Sequence, residues 1–160
     1  PTCEGALQLA MEQTDCTIQG AHVLVIGAGR IGFLLAVRLH ALGAQVTVAA
    51  RSLRDRARIE SAGLAAVDTA QLAQEVHGRE IIFNTVPAPL LTGEILRALT
   101  PSCIVIDLAS MPGGVAPDAD PPTGCRVIHA LSLPGKVAPR TAAAAIYATV
   151  TAILREEGVL

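Results

Sequence analysis

The sequence predicts a doubly wound parallel α/β sheet. Short aliphatic runs alternate along the chain with segments of helical period, as strands alternate with helices in βαβ units. Three glycines, Gly27, Gly29 and Gly32, stand at G-x-G-x-x-G spacing where the first such run meets the first helical segment. At 160 residues, 51% of them hydrophobic and 16% charged, the chain suits a single buried core.

The elements follow in order. Residues 1–16 are expected to form a leading helix between domains, and residues 1–160 a single dinucleotide-binding unit. Residues 22–26, HVLVI, are aliphatic without periodicity, as in a strand covered on both faces. Beyond the glycines, Ile31, Leu34, Leu35, Leu39 and Leu42 recur at steps of three and four, predicting a helix with one apolar face closed by Gly43. Residues 45–50 form a second strand; Ser52 caps a helix running to about Ala62, with Asp55 completing a capping box and Gly63 as its stop. A short strand over 65–67 leads through Thr69, read as a cap, to a helix ending at Gly78. Strands are expected at 80–85, 103–108 and 126–130, with a helix at 93–99. The last helix, about 140–156, is expected to be buried, since its weakly polar core 141–154 is too short and too rich in Ala and Thr to cross a bilayer. Residues 112–124, rich in Pro, Gly and Asp, read as a flexible loop.

Several function classes recede at this stage. A net charge of −2 and only Phe33, Phe83 and Tyr147 as aromatic residues argue against nucleic acid. No membrane span is expected, nor a secretory leader, because residues 1–15 carry no basic region followed by an apolar core. Cys3, Cys16, Cys103 and Cys125 show neither C-x-x-C nor a histidine at metal spacing. They read as reduced, packed thiols in a cytoplasmic protein, and no metal is expected.

In such sheets ligands lie along the carboxyl ends of the strands, so the residues that follow each strand carry the functional reading. Gly27 allows a tight turn, Gly29 lets backbone N–H groups approach a pyrophosphate, and Gly32 lets the helix pack closely. Together with Arg30 and Ile31 in the first helical turn they form the expected phosphate contact. The alternative is a tight βα turn that binds nothing. After the second strand, 24 positions beyond Gly27, stand Arg51 and Ser52, with no carboxylate between Gln45 and Arg54. A guanidinium and a hydroxyl suit a 2′-phosphate, so NADP is expected over NAD. Arg54, Arg56 and Arg58 read instead as a solvated helix face. After the fourth strand, Asn84, Thr85 and Pro87 either meet the nicotinamide-side ribose or form a plain turn. Ala109 follows the fifth strand on the cofactor path. Asp107 ends a run too apolar to leave a carboxylate unpaired, and serves as a structural acceptor or a proton-transfer group. His129 is a packed histidine or a base, and Lys136 is a further catalytic candidate. Lys136 and Arg140 either bind substrate carboxylates or are solvated charges.

Six stretches, in order, resemble the C-terminal Rossmann domain of the dipicolinate synthase A-subunit family: PTCEGALQLAMEQTD, VLVIGAGRIG, ARS, NTVPAPLL, IDLASMPGG and LSLPGKVAPRTA. The resemblance covers nearly the whole chain and is most specific in DLASMPGG and LPGKVAP. It departs at Ala143, where the family commonly has glycine, and in length, since the family carries a further N-terminal domain. The resemblance implies oxidation of a dihydrodipicolinate-type precursor to pyridine-2,6-dicarboxylate, with a flavoprotein second subunit, in the cytoplasm of a spore-forming bacterium. A small dicarboxylate substrate and a homo-oligomer are also expected. Two other readings stay open: a Rossmann domain of a shikimate- or methylenetetrahydrofolate-dehydrogenase-like enzyme, and a noncatalytic NADP-sensing module, since no evident acid–base or nucleophile pair stands out.

Overall fold

A computed structural model of the chain describes residues 1–159. Six strands, β1 (His22–Ile26), β2 (Gln45–Ala49), β3 (Ala65–Val67), β4 (Ile81–Asn84), β5 (Ile104–Asp107) and β6 (Arg126–His129), form one sheet. Its order is β3-β2-β1-β4-β5-β6, and every pairing is parallel. The order reverses between β1 and β4, and that switch point opens a crevice at the carboxyl ends of the two strands.

Alternate residues of each strand feed two separate cores, because successive side chains point to opposite faces. Val23, Val25, Val46, Val48, Ile81, Phe83, Ile104 and Ile106 point to one face. There they meet α1 (Thr2–Gln13), α2 (Arg30–Ala41), Ile59 of α3 (Leu53–Ser61) and Leu133 of α6 (Leu133–Val137). Leu24, Ile26, Ile82 and Val105 point to the other, under α4 (Leu72–Glu75) and α5 (Gly93–Arg97). Small residues let α1 lie close: Cys3, Gly5, Ala6 and Ala10 are buried, and a Cβ on Gly5 would stand 3.1 Å from Leu133 Cβ. Hence α1 belongs to the core of this domain. At its C-terminal end the Arg126 guanidinium donates to the Gln13 carbonyl and, at 3.1 Å, to Gln13 Oε1.

Three sequence expectations need correction. The last helix, α7 (Pro139–Glu156), buries none of its residues within this chain; Ile146, Tyr147, Val150 and Ile153 are exposed. It follows α6 and packs chiefly against that helix, which leaves these four residues exposed. In α2 the buried stripe is Gly32, Leu35, Ala36 and Leu39, while Ile31, Leu34 and Leu42 are exposed. Close packing on the sheet selects the side of the helix that carries Gly32 and Ala36. The cap before the helix of residues 72–75 is Asp68, not Thr69: Asp68 Oδ1 accepts from Ala70 N at 2.9 Å and Gln71 Oε1 from Asp68 N at 3.2 Å. A carboxylate that completes a reciprocal box outcompetes the hydroxyl. Gly43, Gly63 and Gly78 do close their helices with positive φ. Among the described residues no helix is long and apolar enough to cross a membrane.

Candidate dinucleotide-binding site

The turn after β1 is built around glycine for steric reasons. Gly27 has φ 100°, and a Cβ there would strike Thr85 Oγ1; a Cβ on Gly32 would strike the Gly27 carbonyl oxygen. Around Gly29, by contrast, a Cβ would meet nothing within 4 Å. Two of the glycines therefore permit close approach within the protein, and the third faces open space. Gly29 is the N-cap of α2 and no acidic residue occupies the first turn, so unpaired N–H groups and the exposed Arg30 present a positive end to that space. The turn is pinned beneath by Gly27 N donating to Ala49 O at 2.9 Å and by Thr85 N and Oγ1 both donating to Ile26 O at 2.9 Å.

Two clefts open at the carboxyl ends of the strands. One, about 320 Å³, lies beside the glycine turn and is lined by Gly27, Ala28, Ala49 to Ser52, Asp55, Thr69, Val86, Ala88 and Leu90. Arg51 is exposed there and forms no side-chain hydrogen bond or ion pair among the described residues. Ser52 is the N-cap of α3: its Oγ accepts from Asp55 N at 3.1 Å and donates to Asp55 Oδ2 at 2.7 Å. The other arginines divide. Arg54 is solvated. Arg56 is largely buried, pairing with Asp68 at 2.5 Å and donating to Ala50 O at 2.8 Å, while Arg58 donates to Ala28 O and stacks on Phe33 at 4.5 Å. The expectation of a wholly solvated arginine face fails for these two, because both sit over backbone carbonyls at the strand ends.

The second cleft, about 340 Å³, is lined by Thr2, Ile31, Leu108 to Met111 and Ala130 to Pro134. Ile31 and Ala109 meet here, and Ser132 projects from a left-handed backbone with φ 61°. Lys136 and Arg140 are exposed on α6 and at the start of α7, and line neither cleft. Lys136 lies within the short helix α6. A larger cleft, about 450 Å³, lies at the amino ends of the strands, away from the glycine turn. Its Arg126 and Glu80 are already engaged, by Gln13 and by the His22 N–H at 2.6 Å.

Between the strand ends lies a closed polar network. Asn84, Asp107 and His129 stand at one register position across β4, β5 and β6. Asp107 Oδ1 accepts from Asn84 Nδ2 at 2.7 Å and Ala109 N at 3.1 Å, and Oδ2 accepts from Gly114 N at 2.8 Å. Asn84 Nδ2 also donates to Val86 O and its Oδ1 accepts from Val86 N. Both side chains are buried and engaged within this network, Asp107 as an acceptor of three hydrogen bonds. A Cβ on Gly114 would strike Asn84 Nδ2, and one on Gly113, at φ 91°, would stand 2.8 Å from Asp107 Oδ2. The Gly-Gly pair is thus the wall of this network. His129 Nδ1 lies 3.5 Å from Asp107 Oδ2, half-exposed, on the α4–α5 face of the sheet and not on the second cleft.

The cysteines carry no site. Cys3, Cys103 and Cys125 are buried free thiols, and burial raises the Cys3 thiol above its ordinary range. The neighbouring Cys125 thiol and burial raise the Cys103 thiol above its ordinary range. Cys16 is exposed, against the expectation of four packed thiols. No metal-ligating cluster occurs among the described residues.

A parallel sheet whose switch point lies over a glycine turn and a cleft defines a Rossmann-type domain of the kind that binds nicotinamide dinucleotides. The chain belongs to the alanine dehydrogenase/PNT C-terminal domain family, which it matches over residues 7–156. It is 40% identical over 156 residues to the dipicolinate synthase A-subunit of Bacillus subtilis, covering 98% of this chain and 52% of that protein. The crystal structure of the B. subtilis A-subunit superposes with a TM-score of 0.93, over 98% of this chain and 52% of that one at 40% identity. The A-subunit from Bacillus halodurans gives 0.92, over 96% and 53% at 38% identity. A transhydrogenase from Sinorhizobium meliloti, 23% identical, shares the fold at a TM-score of 0.83 over 99% of this chain and 53% of that one. The chain spans about half the length of these relatives.

Proposed function

We propose that the chain is the NADP-binding domain of a dipicolinate synthase A-subunit, taking part in oxidation of dihydrodipicolinate to dipicolinate. The observation that carries the cofactor reading is Arg51, an unpaired guanidinium on the cleft beside the glycine turn, where the adenosine ribose of a dinucleotide would lie. The residues fit such a ligand: Gly29 borders open space, the α2 N-terminus faces the pyrophosphate, and Arg51 meets a 2′-phosphate. Identity with the B. subtilis protein supports the substrate.

Bound in this way, the nicotinamide supplies hydride transfer, and the protein supplies orientation and exclusion of water. Ile31, Ala109 and Leu133 form apolar walls of the second cleft, while Thr2, Ser110 and Ser132 carry its polar side chains. No titratable side chain lines that cleft, so acid–base groups come from outside these residues. The noncatalytic sensor reading draws on the same observation, and a hydride-transfer assay of the intact assembly separates the two. In the proposed arrangement Lys136 and Arg140 face substrate carboxylates across a second domain, a flavoprotein partner completes a cytoplasmic homo-oligomeric assembly, and the isolated chain binds dinucleotide but turns over poorly.

Replacing Arg51 with Ala tests the cofactor. NADP affinity should fall tenfold to a hundredfold, about 1.5–3 kcal/mol for a charge-assisted contact. NAD affinity should hold. Equal loss for both, or a wild-type preference for NAD, contradicts the reading.

A further inference from the structure

The cleft that holds Arg51 also holds a carboxylate. Asp55 lies one position beyond the carboxylate-free stretch after β2, but the first turn of α3 brings it back over the crevice. The Ser52 hydroxyl donates to Oδ2 at 2.7 Å. That hydroxyl proton is spent, so Ser52 is a poorer phosphate donor than its position suggests. Oδ1 receives no hydrogen bond among the described residues: Arg58 Nη2 stands 3.8 Å away and is committed to the Ala28 carbonyl. The Asp55 side chain is 41% exposed. One wall of the cleft therefore presents an unpaired guanidinium and a carboxylate that, though ion-paired with Arg58 at 3.8 Å, has an Oδ1 that accepts no hydrogen bond among the described residues.

These two groups prefer different ligands. A carboxylate accepts from the paired hydroxyls of an unmodified ribose and repels a 2′-phosphate; a guanidinium does the reverse. We propose that Asp55 is a specificity-determining residue that binds the adenosine ribose hydroxyls of NAD and weakens NADP, so that cofactor choice follows from the balance of Asp55 against Arg51. The inference rests on the dinucleotide reading above. Arg51, unpaired, leaves that balance toward NADP, and Asp55 keeps NAD within reach. A carboxylate serving only to cap α3 would affect both cofactors alike.

Calorimetric titration of the intact protein with NADP and with NAD, for wild type, Asp55→Asn and Asp55→Glu, tests this. Asn keeps an acceptor for the Ser52 hydroxyl, and circular dichroism verifies folding. D55N should raise the NADP-over-NAD affinity ratio about tenfold, by tightening NADP and loosening NAD. D55E, which keeps the charge, should stay near the wild-type ratio. An unchanged ratio in folded D55N overturns the assignment while leaving dinucleotide binding intact. Binding of neither dinucleotide by wild type overturns the dinucleotide reading and Asp55 with it.

Discussion

Asp107 accepts three hydrogen bonds in the interior, from Asn84 Nδ2, Ala109 N and Gly114 N. Asp107→Ala strands those donors, each costing about 1–3 kcal/mol, so the loss should reach at least about 3 kcal/mol in chemical denaturation. Asp68 behaves differently. The Ala70 N–H, and then the Arg56 guanidinium, hold its carboxyl below the ordinary 3.8. A depressed folded value stabilises the fold above the unfolded one and is lost as pH falls through the folded one. The midpoint of acid unfolding should therefore move to higher pH in Asp68→Asn, in a titration followed by circular dichroism from about pH 5 downward. An unmoved midpoint contradicts this coupling. Asp107 was legible in the sequence because a carboxylate ending an apolar strand must be paired inside. Asn84 and His129 were not, since only the sheet register puts them on either side of it. Asp55 escaped because helical wrapping, rather than distance along the chain, brings it to the cleft.

The glycine turn is the element read most fully from sequence, because its requirements are local. A Cβ at Gly32 has nowhere to go against the Gly27 carbonyl, a neighbour in the same turn. Gly32→Ala should accordingly destabilise the fold and displace the α2 N-terminus, seen as a lower melting temperature together with weakened dinucleotide binding. Helix α7 shows the opposite case. Its Ile, Val, Ala and Tyr residues suggested burial, but burial depends on what covers a face, and in this chain the sheet is covered by α1 to α6. Substituting Ser for Tyr147 or Ile153 should change the stability of this chain by no more than about 0.5 kcal/mol. Leu35→Ala, in the core under α2, should cost about 2–5 kcal/mol. Denaturant titration of the three variants side by side distinguishes exposed apolar groups from packed ones.

At the scale of the molecule, alternation of strand and helix made the parallel sheet legible, and the carboxyl-end rule directed attention to the edge that carries the glycine turn and two clefts. The division of that edge into two clefts was not legible, because it depends on α1 and α6 packing together beside Ile31 and on the 108–115 loop folding over Asp107. The central claim is that a dinucleotide lies along this edge, with its pyrophosphate at the α2 N-terminus and its adenosine phosphate at Arg51. Amide chemical-shift mapping during titration with NADP tests it most directly. The account predicts that the largest shifts cluster at Gly27 to Gly32 and Ala50 to Asp55, with a smaller set at Ala109 to Met111. Shifts confined to the amino-end cleft around Glu12 to Cys16, or none at the glycine turn, would contradict it.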